Sequence, residues 1–93
     1  MAVVYISGAI SSDPCYKAKF AKAERELREL GYTVLNPTIL PQSLTDEQYL
    51  HIDFAMIDVC DVLYMLPDWE MSYGATEEYQ YADKNSKKVI WGD

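Results

Sequence analysis

Ala2-Val3-Val4-Tyr5-Ile6, closed by Ser7-Gly8, is the stretch on which the reading of the fold turns. It is apolar at odd and even positions alike and rich in β-branched residues. A strand apolar on both faces is covered on both, as the central strand of a parallel sheet is. Ser11-Ser12-Asp13-Pro14 then reads as a helix start, with Asp13 as N-cap and Pro14 at the first helical position. Phe20, Ala23, Leu27 and Leu30 recur at helical spacing, and Lys17, Lys19, Lys22, Arg25 and their acidic neighbours read as the solvated face. Gly31 ends this helix as a left-handed cap.

The pattern repeats along the chain. Tyr32-Thr33-Val34-Leu35 is a second strand, stopped by Asn36-Pro37. Residues 36–44 form a loop with two prolines. Thr45 and Gln48 have the spacing of a capping box, and the helix they open carries Tyr49, Ile52, Met56 and Val59 on one stripe, with Leu50, Phe54 and Ile57 widening it. Asp61 to Leu66 is a third strand, ended by Pro67. A third helix is expected over about 75–84 and a fourth strand over Lys87 to Trp91. The order β-α-β-α-β-α-β implies one domain, 1–93, of α/β class. It is a three-layer α/β/α arrangement, flavodoxin- or Rossmann-like, with a parallel sheet of four or five strands in the order 2-1-3-4. Ligands of such sheets bind beyond the carboxyl ends of the strands, so residues 7–13, 36–45 and 66–78 are the segments to search.

Composition narrows the function. The chain has 93 residues, of which 49% are hydrophobic, and a net charge of −7. A balance this acidic argues against a partner made of nucleic acid, which demands clustered Lys and Arg. No apolar run approaches the length of a membrane span, and no export signal is evident, so a cytoplasmic protein with free thiols at Cys15 and Cys60 is expected. A domain this small buries little more than ~60% of its unfolded surface. A homodimer or larger homo-oligomer is therefore expected, with exposed aromatics supplying the interface.

No cofactor is expected. The first loop has a single Gly, without the dinucleotide fingerprint or a phosphate-loop Lys. No metal is expected either, since His51 is the one His and the acidic residues lack a ligand spacing. The first loop still opens onto a helix N-terminus, which favours an anion. Asp53 stands beside an apolar helical stripe, where a carboxylate is costly unless paired or serving a site; an exposed helix carboxylate is the alternative. In the third loop Ser72 is placed to cap a helix and face a phosphate, and Gly74 permits close backbone approach. Trp69 is a candidate to stack on a planar base. Tyr5, Asp53 and Glu78 fall where the topology lets them converge at the carboxyl edge of the sheet. Two carboxylates at a sugar-binding edge suggest glycosidic-bond chemistry.

With these segments taken together, the sequence resembles the nucleoside 2-deoxyribosyltransferase-like superfamily over almost its whole length. The resemblance rests on Tyr5-Ile6-Ser7-Gly8-Ala9-Ile10, on Asp53 eight positions before Asp61, and on Ser72-x-Gly74-Ala75-x-x-Glu78-x-x-x-Ala82. It is greatest to small bacterial and phage members of unassigned function, and the sequence is also similar to 2'-deoxynucleoside 5'-monophosphate N-hydrolases. The resemblance implies that Glu78 is the nucleophile that forms a glycosyl ester, that Asp53 bonds the deoxyribose, and that Tyr5 holds the Glu78 carboxylate. It implies that Gly8, Ala9 and Ser11 line the sugar or phosphate end. Transferases of the superfamily tend to carry an acidic residue six positions before the nucleophile; here that residue is Ser72, which suits a phosphate oxygen better than a leaving base. Ser11 stands where the hydrolases carry a cation. The expected activity is N-glycosidic cleavage of a 2'-deoxynucleoside 5'-monophosphate. Base exchange by a deoxyribosyltransferase, a non-catalytic nucleotide-binding module, and cleavage of another ribosyl compound are the alternatives.

Overall fold

The computed structural model describes residues 2–92. Four strands, β1 (Val3–Ser7), β2 (Thr33–Leu35), β3 (Val62–Met65) and β4 (Lys88–Trp91), form one parallel sheet in the order β2-β1-β3-β4. The helices are α1 (Tyr16–Glu29), α2 (Asp46–Val59) and α3 (Tyr73–Lys84), with single 3₁₀ turns at Pro37–Ile39 and Trp69–Met71. No described helix is long and apolar enough to cross a membrane.

Strand parity sorts the core into two layers. Successive side chains of a strand point to opposite faces. Val4, Ile6 and Val62 meet Phe20, Ala23 and Leu27 of α1 on one face. Tyr5, Leu63 and Met65 meet Ile57 of α2 and Ala75 and Ala82 of α3 on the other. Tyr5 and Ser7 share a parity, so both lie under the α2/α3 layer. Asp61 finishes the sheet below, where its Oδ2 accepts the Val3 N–H at 2.8 Å.

Local chemistry sets the helix ends, and two, the starts of α1 and α3, differ from the sequence reading. The helix α1 begins at Tyr16 rather than Pro14. The Asp13 carboxylate accepts the Cys15 N–H at 2.8 Å and the Asp13 carbonyl accepts from Tyr16 N at 3.2 Å, which folds the segment into a turn before the helix. At its far end Leu30 lies outside the core, 76% exposed, because Gly31 at φ 94° turns the chain away first. The buried face of α2 lies on the widened side of the expected stripe. Asp53 and Ile57 face inward, whereas Val59 is exposed. The capping box at its start is formed: Gln48 N donates to Thr45 Oγ1 at 3.1 Å and Thr45 N to Gln48 Oε1 at 3.0 Å. The helix α3 begins at Tyr73, with Ser72 Oγ accepting the Ala75 N–H at 3.1 Å.

Candidate functional site

Four side chains from three elements meet under the α2/α3 layer. Tyr5 and Ser7 reach up from β1. Asp53 comes from α2, one turn before buried Ile57, and Glu78 from α3, between buried Ala75 and Ala82. All four are buried: Tyr5 and Ser7 fully, Glu78 and Asp53 with 6% and 7% of their surface exposed. The Ser7 hydroxyl donates to Glu78 Oε1 at 2.8 Å. Among the described residues, Tyr5 Oη and Asp53 Oδ1 are buried polar atoms that make no well-formed hydrogen bond.

Two carboxylates in so dry a place do not both ionise easily. Burial, and then the hydrogen bond and negative charge of Asp53, push Glu78 well above the ordinary glutamate range, against the opposing bonds of Ser7 and Tyr5. Asp53 is also raised, chiefly by burial. The Tyr5 phenol is pushed up by burial first and then by the charges of Glu78 and Asp53, so it remains a neutral O–H donor. The site therefore combines a buried carboxyl held above its ordinary range, a second raised carboxyl beside it, and two hydroxyls directed at the pair.

Above this cluster lies a cleft of about 560 Å³, ample for a nucleoside. Asp53 and Glu78 form part of its lining. The first loop contributes Gly8 and Ser11, the segment between β2 and α2 contributes Thr38, Gln42 and Tyr49, and the N-terminus of α3 contributes Ser72 and Gly74. Gly8 admits no larger residue without movement, since a Cβ there would lie 2.8 Å from Leu66 Cδ1 and 2.9 Å from Leu66 Cβ. The described lining holds four carboxylates, Asp13, Asp46, Asp53 and Glu78, and no Lys, Arg or His.

The structure thus brings Tyr5, Asp53 and Glu78 together and sets Gly8, Ser11, Ser72 and Gly74 along the cleft. Two expected binding residues lie elsewhere. Ala9 is buried behind the loop; its N–H donates to Asp68 Oδ1 at 3.1 Å and its carbonyl accepts from Lys19 Nζ at 2.9 Å, so neither is free for a ligand. Trp69 packs on Tyr79 and Trp91, at ring-centroid distances of 5.2 and 5.5 Å, and is absent from the cleft lining. Lys19 is likewise not a solvated residue. It bridges Asp13 and Asp68, tying the β1 loop to the β3 loop. Burial opposes its charge, but the two carboxylates outweigh this and hold its pKa above the ordinary lysine value. The sequence reading has Ser7 as the end of a strand and within the Tyr5–Ile10 stretch but gives it no role; the available signal is its parity with Tyr5.

A family model described as Domain of unknown function (DUF4406) matches residues 2–91. No curated protein matches the chain. Solved structures do. A 2-desoxiribosyltransferase from Leishmania mexicana superposes with a TM-score of 0.75 at 19% identity, over 98% of this chain and 63% of that one. A CMP N-glycosidase, BcmB, from Clostridium botulinum gives 0.71 at 24% identity, over 96% of this chain and 69% of the other. A conserved protein from Enterococcus faecalis V583 gives 0.70 at 20% identity, over 98% and 62%. The chain spans under two thirds of the length of the first and third of these proteins. At such identities the likeness is one of fold, and that fold is nucleoside 2-deoxyribosyltransferase-like.

Proposed function

This chain belongs to the DUF4406 family, and we propose that it cleaves the N-glycosidic bond of a 2'-deoxynucleoside or its 5'-monophosphate through a covalent ester on Glu78. The observation that carries this reading is the buried Tyr5, Ser7, Asp53 and Glu78 cluster at the base of a nucleoside-sized cleft. That two solved structures of this fold are a 2-desoxiribosyltransferase and a CMP N-glycosidase supports the class of reaction.

In this reading Glu78 attacks the anomeric carbon as the base departs, through an oxocarbenium-like transition state. Ser7 holds Oε1, which leaves Oε2 to attack. Asp53, whose Oδ1 makes no well-formed hydrogen bond within the protein, accepts a sugar hydroxyl. Tyr5 steadies the carboxylate pair from below. A hydroxyl of the sugar against Asp53, and a developing positive charge at C1', both favour ionised Glu78 and so oppose the effect of burial. The base leaves with the C1'–N electron pair; water then adds its hydroxyl to C1' and breaks the ester, Glu78 returns as a carboxylate, and the proton of that water neutralises the base.

Two readings of the substrate have separate support. Ser72 caps α3 with its oxygen, so its hydroxyl proton stays available, and the Gly74 backbone lies beside it at a helix N-terminus; this end suits a phosphate. The lack of any Lys or Arg in the described lining favours a free nucleoside instead. The test is chromatographic detection of free base after incubation with each 2'-deoxynucleoside and each monophosphate, with and without an acceptor base. Release from a monophosphate alone supports the hydrolase with Ser72 at the phosphate. Release from nucleosides supports the second reading, and exchange that requires acceptor makes the chain a transferase. Silence from a folded protein across the panel overturns the glycosidic reading and favours a nucleotide-binding module.

A further inference from the structure

Resting on the reading of Glu78 and Asp53 as the sugar end of the site, we infer that the cleft wall between β2 and α2 reads an exocyclic amino group on the base, with Thr38 as the selecting residue. Cytosine and adenine are then accepted ahead of uracil and hypoxanthine. The first observation is position. In a nucleoside the base and C5' stand on opposite sides of the ring oxygen. With C1' at Glu78 and the 5' end toward Ser72 and Gly74, the base is directed away from α3, toward the segment that carries Thr38, Gln42 and Tyr49. Tyr49 precedes Asp53 by one turn of α2, about 6 Å along its axis, which matches the span of a base ring.

The second observation is where the hydroxyl protons of this wall go. The Thr38 hydroxyl donates to Asn36 Oδ1 at 2.7 Å, and the Thr38 N–H donates to the same oxygen at 3.0 Å. Asn36 is buried, and its amide nitrogen donates to Glu24 Oε1 at 3.0 Å. That bond fixes which end of the amide meets Thr38, since a reversed amide would set its oxygen against the Glu24 carboxylate. The Tyr49 hydroxyl donates to the Pro41 carbonyl. Both hydroxyls have thus committed their one proton to the protein and keep only lone pairs for a ligand. Gln42 commits one of its amide N–H groups to Tyr16 Oη at 2.7 Å. An amino group at C4 of a pyrimidine or C6 of a purine brings two N–H bonds to such a wall. An oxo group in that place sets lone pairs against lone pairs. The ring N–H beside an oxo group supplies one donor, but the oxo oxygen then faces the second acceptor. A site built from acceptors discriminates in this way because the wrong group leaves buried polar atoms unpaired.

The test has two arms. In the first, binding is separated from turnover in Glu78→Gln, which cannot form the ester. This variant is titrated with 2'-deoxycytidine and with 2'-deoxyuridine. The amino nucleoside is expected to bind about tenfold more tightly. Adding Thr38→Val should remove the preference, and Thr38→Ser, which restores the oxygen, should retain it. Equal binding, tighter binding of 2'-deoxyuridine, or binding of neither overturns the inference; a preference unchanged in Thr38→Val overturns the role of Thr38. In the second arm, wild-type base release is compared between 2'-deoxycytidine and 2'-deoxyuridine and between 2'-deoxyadenosine and 2'-deoxyinosine. A lower KM for the amino member of each pair supports the inference. Release with no such preference overturns it and leaves the glycosidic reading intact. Amino preference in the first arm with no release in the second supports the amino-reading wall and overturns the role of Glu78.

Discussion

Glu78 is the residue whose physics is most exposed to experiment. Folding takes it from water into a dry cluster beside Asp53, and its pKa rises well above the ordinary value of 4.5. Between the ordinary value and the raised one, the folded chain then binds more protons than the unfolded chain. Stability contributed by this group is complete below about pH 4.5 and is lost as pH rises toward the raised pKa. Glu78→Gln removes the titration. Its Tm at neutral pH should exceed that of the wild type, by about 4–8 °C for each kcal/mol recovered, and vary less with pH, while base release disappears. A Tm that falls at every pH would mean the carboxylate is not strained by burial. Ser7→Ala removes the 2.8 Å bond that favours the ionised form. The acid limb of base release should move to higher pH, with a rate loss on the order of 10²-fold at neutrality. An unmoved limb would limit Ser7 to packing.

At the scale of elements, the site depends on loops held by one cation. Lys19 of α1 joins Asp13 before its own helix to Asp68 after β3, and Asp68 also receives the Ala9 N–H. The loops that frame the cleft thereby move together. Lys19→Met keeps the side-chain stem but leaves both carboxylates without their partner. It should lower Tm by about 4–8 °C, the shift of roughly 1 kcal/mol in a chain this size, and raise KM more than it lowers kcat. A changed kcat with constant KM would place the effect on the chemistry instead. Helical spacing alone made Lys19 one of several surface lysines, because both its partners are loop residues distant in sequence. The same blindness applies to Trp69, whose neighbours Tyr79 and Trp91 come from α3 and β4.

At the scale of the molecule, the −7 charge acts on fold and site alike. Like charges in a compact body repel, and the repulsion is screened within about 10 Å at 0.1 M salt. Adding salt from low concentration to roughly 0.15 M at pH 8 should therefore raise Tm; a flat response would show that local pairs such as those of Lys19 already balance the surface.

The order of elements, the parallel sheet in order 2-1-3-4 and the placement of Tyr5 and Glu78 at the carboxyl edge of the sheet follow from local signals in the sequence. Apolar runs, caps and breakers sit within a few residues of the structure they specify, and strand parity and helix pitch then fix where side chains point. Other features rest on contacts between residues far apart in the chain. The bond of Ser7 to Glu78 spans 71 positions, and the tie of Lys19 to Asp68 spans 49. The inward turn of Asp53 required knowing which face of α2 meets the sheet, and periodicity there was ambiguous because apolar residues occupy adjacent stripes. That the charged residues of the described cleft lining are all acidic is likewise a property of assembly. Asp13, Asp46, Asp53 and Glu78 are unremarkable one by one along the chain, and only tertiary packing gathers them, without a cation, around one space.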